Sequence, residues 1–259
     1  MDPGIRTPLV DLFRRGEAAR DIRLQAARGA LAPRVHDQLA LLLVLSDDED
    51  PEVSTSAKST LDALPVEALQ GFLARSDVPQ PMRDFFAARG VSAGAVPAAA
   101  LEGPLGGEGE DPAAEESDDD EPAAATVLSS LSIVERMKLA MKGTKGHRAQ
   151  LIRDSNKLVA AAVLSSPKLT TSEVEAFAKM GNVSEDVLRA IAMNRQWVKN
   201  YGVISGLTKN PKTPPAISMQ MVQRLNEKDL KMLTMDRNVP EAVRLAARKF
   251  LRKGPKDMG

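Results

Sequence analysis

The chain has no cysteine, and only 3% of its 259 residues are aromatic, with a single tryptophan and a single tyrosine. Without cysteine it has no disulfide framework, no thiol nucleophile and no thiolate metal site. The absence also fits a reducing cytoplasm, which is the location that we expect. The core must therefore come mainly from alanine, leucine and valine, which suit close packing between helices.

Catalytic motifs are equally scarce. The two histidines, His36 and His147, lie far apart in the chain, so a Ser-His-Asp or Cys-His assembly has little to draw on. The sequence contains neither a G-x-x-x-x-G-K-[ST] phosphate loop nor a G-x-G-x-x-G turn after a strand. The Gly-rich, basic residues 143–148 are predicted to form a helix–helix turn. We expect no catalytic residue, no cofactor and no metal, and hence a protein that is not an enzyme.

Long apolar runs are also missing. The longest, residues 39–45, is far too short to span a bilayer. The N-terminal residues lack the apolar core of a signal peptide. We therefore expect no membrane insertion.

The sequence does contain a short motif that recurs with a period near 27 residues. Its anchors are Asn156, Asn182, Asn210 and Asn238, spaced by 26, 28 and 28 residues. Each lies in a short polar turn and precedes an amphipathic stretch of helical period. Self-similarity at this period is typical of stacked helix pairs, the α-solenoid.

Similar helix starts occur in the first third of the chain. They follow Asp21, Asp50 and Asp77, at spacings of 29 and 27 residues. An aspartate before the first turn accepts hydrogen bonds from free backbone N–H groups, and proline at the first helical position lacks only a donor that would be idle there. No run of residues has the alternation of a β-strand. The sequence predicts an all-α fold of helical-hairpin repeats.

A net charge of zero hides a strong asymmetry. Residues 1–125 hold 11 basic and 24 acidic residues, net −13, and residues 126–259 hold 24 and 11, net +13. Between them lies a segment of Ala, Gly, Pro and acid that cannot bury enough apolar area to fold. We predict an N-terminal helical-repeat domain over residues 1–89, a disordered acidic linker over 90–126, and a basic C-terminal helical-repeat domain over 127–253.

Basic side chains of the second domain are candidates for binding an anion or a partner. In a solenoid, equivalent turns line one edge, so their charges can add into a stripe that tracks phosphates. The alternative is that they only keep the helices soluble. The candidates are Lys138, Lys142, Lys145, Arg148, Arg153, Lys209, Lys212, Arg244 and Arg248.

Trp197 and Tyr201 lie four residues apart in a helix predicted over residues 196–207. On one helix face they could form a stacking platform for a base. The alternative is a packing contact whose polar tips find partners.

On these motifs the chain resembles HEAT-like α-solenoid proteins. The phrase Asp50-Pro-Glu-Val, followed by Ala57 and Leu61, is typical of how HEAT helices begin and pack. Residues 145–252, with Asn210-Pro-Lys-Thr-Pro and Asp236-Arg-Asn-Val-Pro-Glu, also resemble an uncharacterised bacterial family of such repeats. The resemblance implies a protein-binding scaffold and supplies no catalytic residues.

Three functions remain open. The first is a non-enzymatic cytoplasmic scaffold or adaptor for a protein partner, with the acidic linker joining two modules. The second is nucleic-acid or other polyanion binding by the basic C-terminal domain, with the acidic linker as an internal competitor. The third is a HEAT-like DNA-alkylation glycosylase. Trp197, Tyr201 and Asp236 superficially resemble the aromatic and acidic pocket residues of such enzymes.

Overall fold

The computed structural model describes residues 3–32, 34–95 and 128–253. All regular structure in these residues is helical, with fifteen α-helices, two short 3₁₀ helices and no strand. The prediction of an all-α chain is confirmed. From residue 96 onward, the predicted acidic linker lies outside the described residues. Within the described ranges, no helix is both long and apolar enough to cross a membrane.

The chain divides into two compact units. The first unit holds the described residues up to Arg148 together with Ala161–Lys168, and the second holds Ala149–Ala160 and the described residues from Leu169 onward. The later segment of the first unit is tied to it by the Ser166 hydroxyl, which donates to the Met141 carbonyl at 2.8 Å. The predicted domain boundaries flank a segment largely outside the described residues and stay predictions.

Seven α-helices and one 3₁₀ helix belong to the first unit. In chain order they are α1 (Pro8–Arg14), α2 (Arg20–Ala27), α3 (Val35–Leu45), α4 (Pro51–Asp62), α5 (Val66–Leu73), α6 (Gln80–Ala87), a 3₁₀ helix (Leu128–Ser130) and α7 (Ile133–Lys142).

Helix α3 is the centre of the first unit. Nine of its eleven residues are buried, and α1, α2 and α4 pack against it. A helix that is apolar around most of its circumference must be enclosed by other elements. Its one buried carboxyl group, Asp37, accepts a hydrogen bond from the Thr7 hydroxyl at 3.0 Å. Thr7 in turn caps α1 by accepting from the Val10 N–H at 3.3 Å.

The aspartates predicted to start helices in this unit have different roles. Asp50 caps α4, accepting from the N–H groups of Glu52 at 2.9 Å and Val53 at 3.4 Å. Asp21, by contrast, lies inside the first turn of α2, and Asp77 is bonded to the Arg75 side chain at 2.8 Å. The prediction was therefore right for Asp50. It was wrong for Asp21, which lies within the helix, and for Asp77, because a nearby arginine competes for its carboxylate.

Six α-helices and one 3₁₀ helix lie wholly in the second unit, and two earlier helices cross the boundary between the units. The crossing helices are α8 (Lys145–Leu151) and α9 (Lys157–Leu164). The others are α10 (Thr171–Lys179), α11 (Glu185–Met193), a 3₁₀ helix (Trp197–Lys199), α12 (Tyr201–Lys209), α13 (Pro215–Val222), α14 (Glu227–Met235) and α15 (Glu241–Lys253).

Alternate helices of the second unit pack side by side. Helix α10 packs on α12, and α13 packs on α15. Consecutive helices also pack, as α12 does on α13 and α14 does on α15. Each helix has only 8 to 13 residues. At such lengths isolated helices are marginal in water, so each one depends on its neighbours for stability.

Three turns of the second unit share a local hydrogen bond, but the residues that accept it are not all predicted anchors. Asn194, Asn210 and Asp236 each follow the last residue of a helix, and each side chain accepts from the N–H two residues on, at 2.9 to 3.0 Å. Asn156 instead caps the start of α9 through the Leu158 N–H at 2.9 Å, and Asn238 supplies the N–H bonded by Asp236. The predicted anchors Asn156, Asn210 and Asn238 are therefore not equivalent.

Three predicted element boundaries are wrong for the same local reason. In each case a side chain within the predicted element caps the start of a helix. Residues 145–151 form α8 and not a turn, because the Thr144 hydroxyl accepts from the His147 N–H at 3.4 Å. The helical pattern of residues 151–164 predicts one helix there, but the helix begins only at Lys157. The helix predicted over 196–207 is broken at Asn200, whose side chain caps α12 through the Gly202 N–H at 2.7 Å.

Candidate functional site

The first group of predicted basic residues lies around the α7–α8 turn. Lys138 and Lys142 are exposed one turn apart on α7, and Lys145 is exposed at the start of α8. Arg148, however, is only 5% exposed, and its guanidinium donates to the Gly143 carbonyl at 2.9 Å. Arg148 therefore closes the turn and does not contribute to an exposed basic surface. Arg153, in the second unit, is exposed.

His147 completes this turn from the other side. Its Nδ1 accepts from the Thr144 N–H at 3.2 Å, while the Thr144 hydroxyl accepts from the His147 N–H. The pair forms a reciprocal cap of the kind that serine and glutamate make elsewhere. His147 thus has a structural partner in the turn.

Helices α12 and α14 are joined through the partly buried carboxylate of Asp229. Lys209 donates to it at 2.7 Å, and the Tyr201 hydroxyl donates to its other oxygen. The Tyr201 oxygen also accepts from the Asn226 N–H at 3.2 Å. The Lys209 and Tyr201 hydrogen bonds hold the pKa of Asp229 below its ordinary range. Desolvation, reinforced by the hydrogen bond to Asp229, raises the pKa of Tyr201.

These contacts change the interpretation of the two aromatic candidates. Trp197 lies half-buried in a 3₁₀ helix, whereas Tyr201 is the first residue of α12. Because Asn200 separates the two elements, the single helical face predicted for Trp197 and Tyr201 does not form. Tyr201 donates to Asp229, a residue outside the superficial glycosylase-like set.

Asn210 makes the most extensive link among the turn residues. It is 4% exposed, and its side-chain nitrogen donates to the carbonyls of Ala178 and Met180, both at 2.9 Å. Its oxygen meanwhile accepts from the Lys212 N–H at 3.0 Å. One side chain thereby joins the end of α12 to the end of α10. The Lys212 side chain remains exposed on the turn.

The last two predicted basic residues lie on α15. Arg244 is half-buried, and Arg248, one turn later, is exposed. On this helix Val243 and Ala247 are fully buried, whereas Phe250 is only half-buried. The predicted basic residues on α7, α12 and α15 thus lie on separate helices and turns.

Sequence reasoning missed an apolar depression beside α14. Its lining residues are Lys209, Met232, Leu233, Met235 and Asp236, and its volume is about 340 Å³. Leu233 is fully buried and forms the floor, whereas Met232 is 55% exposed and Met235 is 79% exposed. The signal was available in the sequence, because Leu230 and Leu233 define the buried stripe of α14 and the two methionines fall outside it.

Three exposed basic residues lie within four residues of the lining residues in the chain. Lys228 shares a face of α14 with Met232, four residues later, and both are exposed. Lys212 and Arg237 lie exposed on the turns that follow α12 and α14. The lining itself combines the apolar side chains of Met232, Leu233 and Met235 with one lysine and one aspartate.

Comparisons with protein-family models, curated proteins and solved structures gave no match.

Proposed function

We propose that the chain is a non-enzymatic protein-interaction scaffold built from HEAT-like helical hairpins, and that it holds its partner at the depression beside α14. The observation that carries the proposal is the exposure of Met232 and Met235 next to buried Leu233. Scattered exposed apolar residues are normal on proteins. Two methionines one turn apart that line one concave surface form instead a contiguous apolar patch, which is typical of interaction sites.

The repeat architecture of this proposal is supported by links between helices one hairpin apart. Asn210 bonds backbone groups that lie 32 and 30 residues earlier, and Tyr201 bonds a carboxylate 28 residues later. Contacts at this spacing are what stacked hairpins would make, because each repeat touches only its neighbours. A scaffold needs such links to keep its binding surface in one conformation before the partner arrives.

Methionine suits the proposed role for a physical reason. Its unbranched, polarizable side chain can adapt its shape to a partner. Full burial of one methionine side chain is worth roughly 1.5–3 kcal/mol relative to exposure. Two methionines covered by a partner would therefore supply a substantial share of a micromolar affinity, which corresponds to about 8 kcal/mol.

The test is photo-cross-linking with the full-length chain. A photoreactive amino acid replaces Met235 in one variant and Lys58, an exposed residue on α4, in the control. We expect a defined protein to be cross-linked from position 235 and not from position 58. The captured protein, once purified, should bind the unmodified chain directly. The scaffold function is contradicted if no protein is captured, or if no captured protein binds the unmodified chain directly.

Polyanion binding is the second candidate, and a separate observation favours it. Lys138, Lys142 and Lys145 are exposed close together in the chain, within a half of the sequence whose net charge is +13. Such cations can track phosphates in a salt-dependent way. The acidic residues 102–122, which lie outside the described part, would compete for them, so deleting this segment should strengthen DNA binding at low salt.

The polyanion test is a fluorescence titration of labelled duplex DNA at several salt concentrations. Replacing Lys138, Lys142 and Lys145 by glutamate should abolish binding, and Arg148 is left unchanged because its guanidinium closes the turn. The matched control replaces Arg195, an exposed residue elsewhere. Equal DNA binding with and without residues 102–122 rules out internal competition, and no DNA binding by either form removes this candidate.

A further inference from the structure

We propose that the depression beside α14 recognises a short peptide segment in which an apolar side chain is flanked by carboxylates. The inference rests on the proposed scaffold function and specifies the chemistry of the partner. It follows from the apolar lining of the depression and from the charges of exposed residues that neighbour the lining residues in the chain.

The apolar part of the site is small and localised. It consists of Met232 and Met235 above buried Leu233. A volume of about 340 Å³ lies near the lower end of the roughly 300–1,000 Å³ of ligand pockets. The site therefore fits an anchoring side chain from an exposed peptide better than a large folded surface, because a flat interface would need apolar contacts over a wider area.

The charged part of the site is predominantly basic and only partly neutralised. Lys209 is paired with Asp229 at 2.7 Å, and Lys231 is paired with Glu227 at 2.5 Å. Among the described residues, Lys228, Lys212 and Arg237 have no ion-pair partner within 4.0 Å. These three cations remain available to carboxylates of a ligand.

One acidic side chain, Asp236, also lines the depression. Its carboxylate accepts from the Asn238 N–H at 2.9 Å, so one of its oxygens is already engaged in the turn after α14. The three available cations outnumber it. Complementary charge would steer an acidic peptide to the site and disfavour a basic one.

Nucleic acid fits this particular site less well. None of the five lining residues is aromatic, and stacking on aromatic rings is how proteins usually hold unpaired bases. Two exposed methionines gain nothing from facing phosphates. The apolar lining therefore favours a peptide, and DNA serves as a competitor in the test.

The experiment selects peptides from a displayed library of random sequences, about twelve residues long, on the immobilised full-length chain. We expect enrichment of sequences with one or two large apolar residues flanked by aspartate or glutamate. Enrichment of basic sequences, of apolar sequences without acid, or of nothing above background would overturn the proposal.

Affinities of an enriched peptide for matched variants then locate the site. Met232→Ser and Met235→Ser should each raise Kd about tenfold or more, the change expected for losing a buried methionine. Met193→Ser is the control, because Met193 is 72% exposed but does not line the depression. Arg237→Glu should raise Kd about threefold to tenfold at low salt. Arg195→Glu, at the equivalent position after Asn194, should leave it unchanged.

The outcomes separate this inference from the scaffold function. If a captured protein binds equally well to the wild-type chain and to Met232→Ser, the scaffold function holds and the proposed site is wrong. Displacement of the peptide by duplex DNA, with DNA binding weakened by Met232→Ser, would assign the site to nucleic acid and also overturn the proposal. Equal weakening by Met193→Ser would show that the effect is not specific to the depression.

Discussion

The first unit encloses an apolar helix, whereas the second ties its helix ends together through side chains and leaves methionines on its surface. In the first unit, α3 is surrounded by other helices, and among the described residues of that unit Val66 is the one large apolar side chain that is markedly exposed. In the second unit the corresponding residues are Met193, Tyr201, Met219, Met232, Met235 and Leu245. The first unit therefore buries nearly all of its described large apolar side chains, and the second leaves several of them exposed.

The polar side chains differ in the same way. In the first unit, arginines pair with carboxylates at the surface, as Arg20 does with Asp50 and Glu52, each at 2.5 Å. Exposed pairs of this kind contribute only about 0–1 kcal/mol each. In the second unit, buried or half-buried asparagines bond backbone groups at helix ends. Ion pairs and side-chain-to-backbone hydrogen bonds occur in both units, so the two differ in which residues make them.

The largest expected effect comes from the core of the first unit. Leu42 is fully buried on α3, so Leu42→Ala should lower the free energy of unfolding by about 2–5 kcal/mol, through lost burial and the cavity left behind. Urea unfolding of the full-length chain measures the change. Val66→Ala, at a residue that is 53% exposed, is the control and should stay within about 0.5 kcal/mol. Similar effects for the two variants would contradict the central position of α3.

The next effect concerns the asparagine turns of the second unit. Asn210→Ala leaves the carbonyls of Ala178 and Met180 without their side-chain donor and should cost about 1–3 kcal/mol. Asn194→Ala is the matched control, because Asn194 makes the same turn bond and accepts from the neighbouring N–H groups of Gln196 and Trp197. Hydrogen exchange should show faster opening of α10 and α12 in Asn210→Ala. A cost no larger than that of Asn194→Ala would refute the link between the helix ends.

A smaller effect of opposite sign should appear at Thr213. Its side chain is 1% exposed, and the hydroxyl has no hydrogen-bond partner in the described part of the chain. Valine occupies the corresponding turn positions at Val183 and Val239, where it is buried. Thr213→Val removes an unsatisfied buried hydroxyl and should stabilise the chain by about 1 kcal/mol.

Thr208→Val is the control for this substitution, measured by thermal unfolding. Thr208 is equally buried, but its hydroxyl donates to the Ile204 carbonyl at 2.7 Å. Its replacement removes a satisfied hydrogen bond and should not stabilise. If Thr213→Val lowers the unfolding temperature, the hydroxyl has a role that its surroundings do not reveal.

The smallest effect is a pH dependence in the first unit. Burial raises the pKa of Asp37 above its ordinary value of 3.8, so the folded state binds this proton more tightly than the unfolded state does. The resulting contribution to stability is complete below pH 3.8 and is lost as the pH rises through the raised pKa. Asp37→Asn should remove this loss and make the chain more stable than wild type at neutral pH.

His36 titrates with the opposite sign and must be separated from Asp37. Burial lowers the pKa of His36 below 6.5, so its contribution is present above pH 6.5 and is lost as the pH falls. Comparing the unfolding temperatures of Asp37→Asn and wild type across the pH range cancels the His36 contribution. A difference between the two proteins that does not change with pH would contradict the buried ionisation of Asp37.

Part of the site could be located from sequence and part could not. The lysines at 138, 142 and 145 were selected from charge alone; each is exposed, and their binding of an anion stays a prediction. Arg148 was grouped with them, yet it is buried against a carbonyl. Charge patterns do not distinguish the two, because the partner of Arg148 is a backbone oxygen that carries no sequence signal.

The sequence by itself determined that the described chain is helical and where several helices begin. Helical period, Asp50 before Pro51, and Ser132 before Glu135 act within a few residues and so are readable locally. Tertiary structure decided that Asn210 joins two helix ends and that Tyr201 bonds Asp229. It also decided that Met232 and Met235 remain uncovered. These outcomes depend on which helices lie side by side, across about 30 residues of chain, and local propensity does not contain that information.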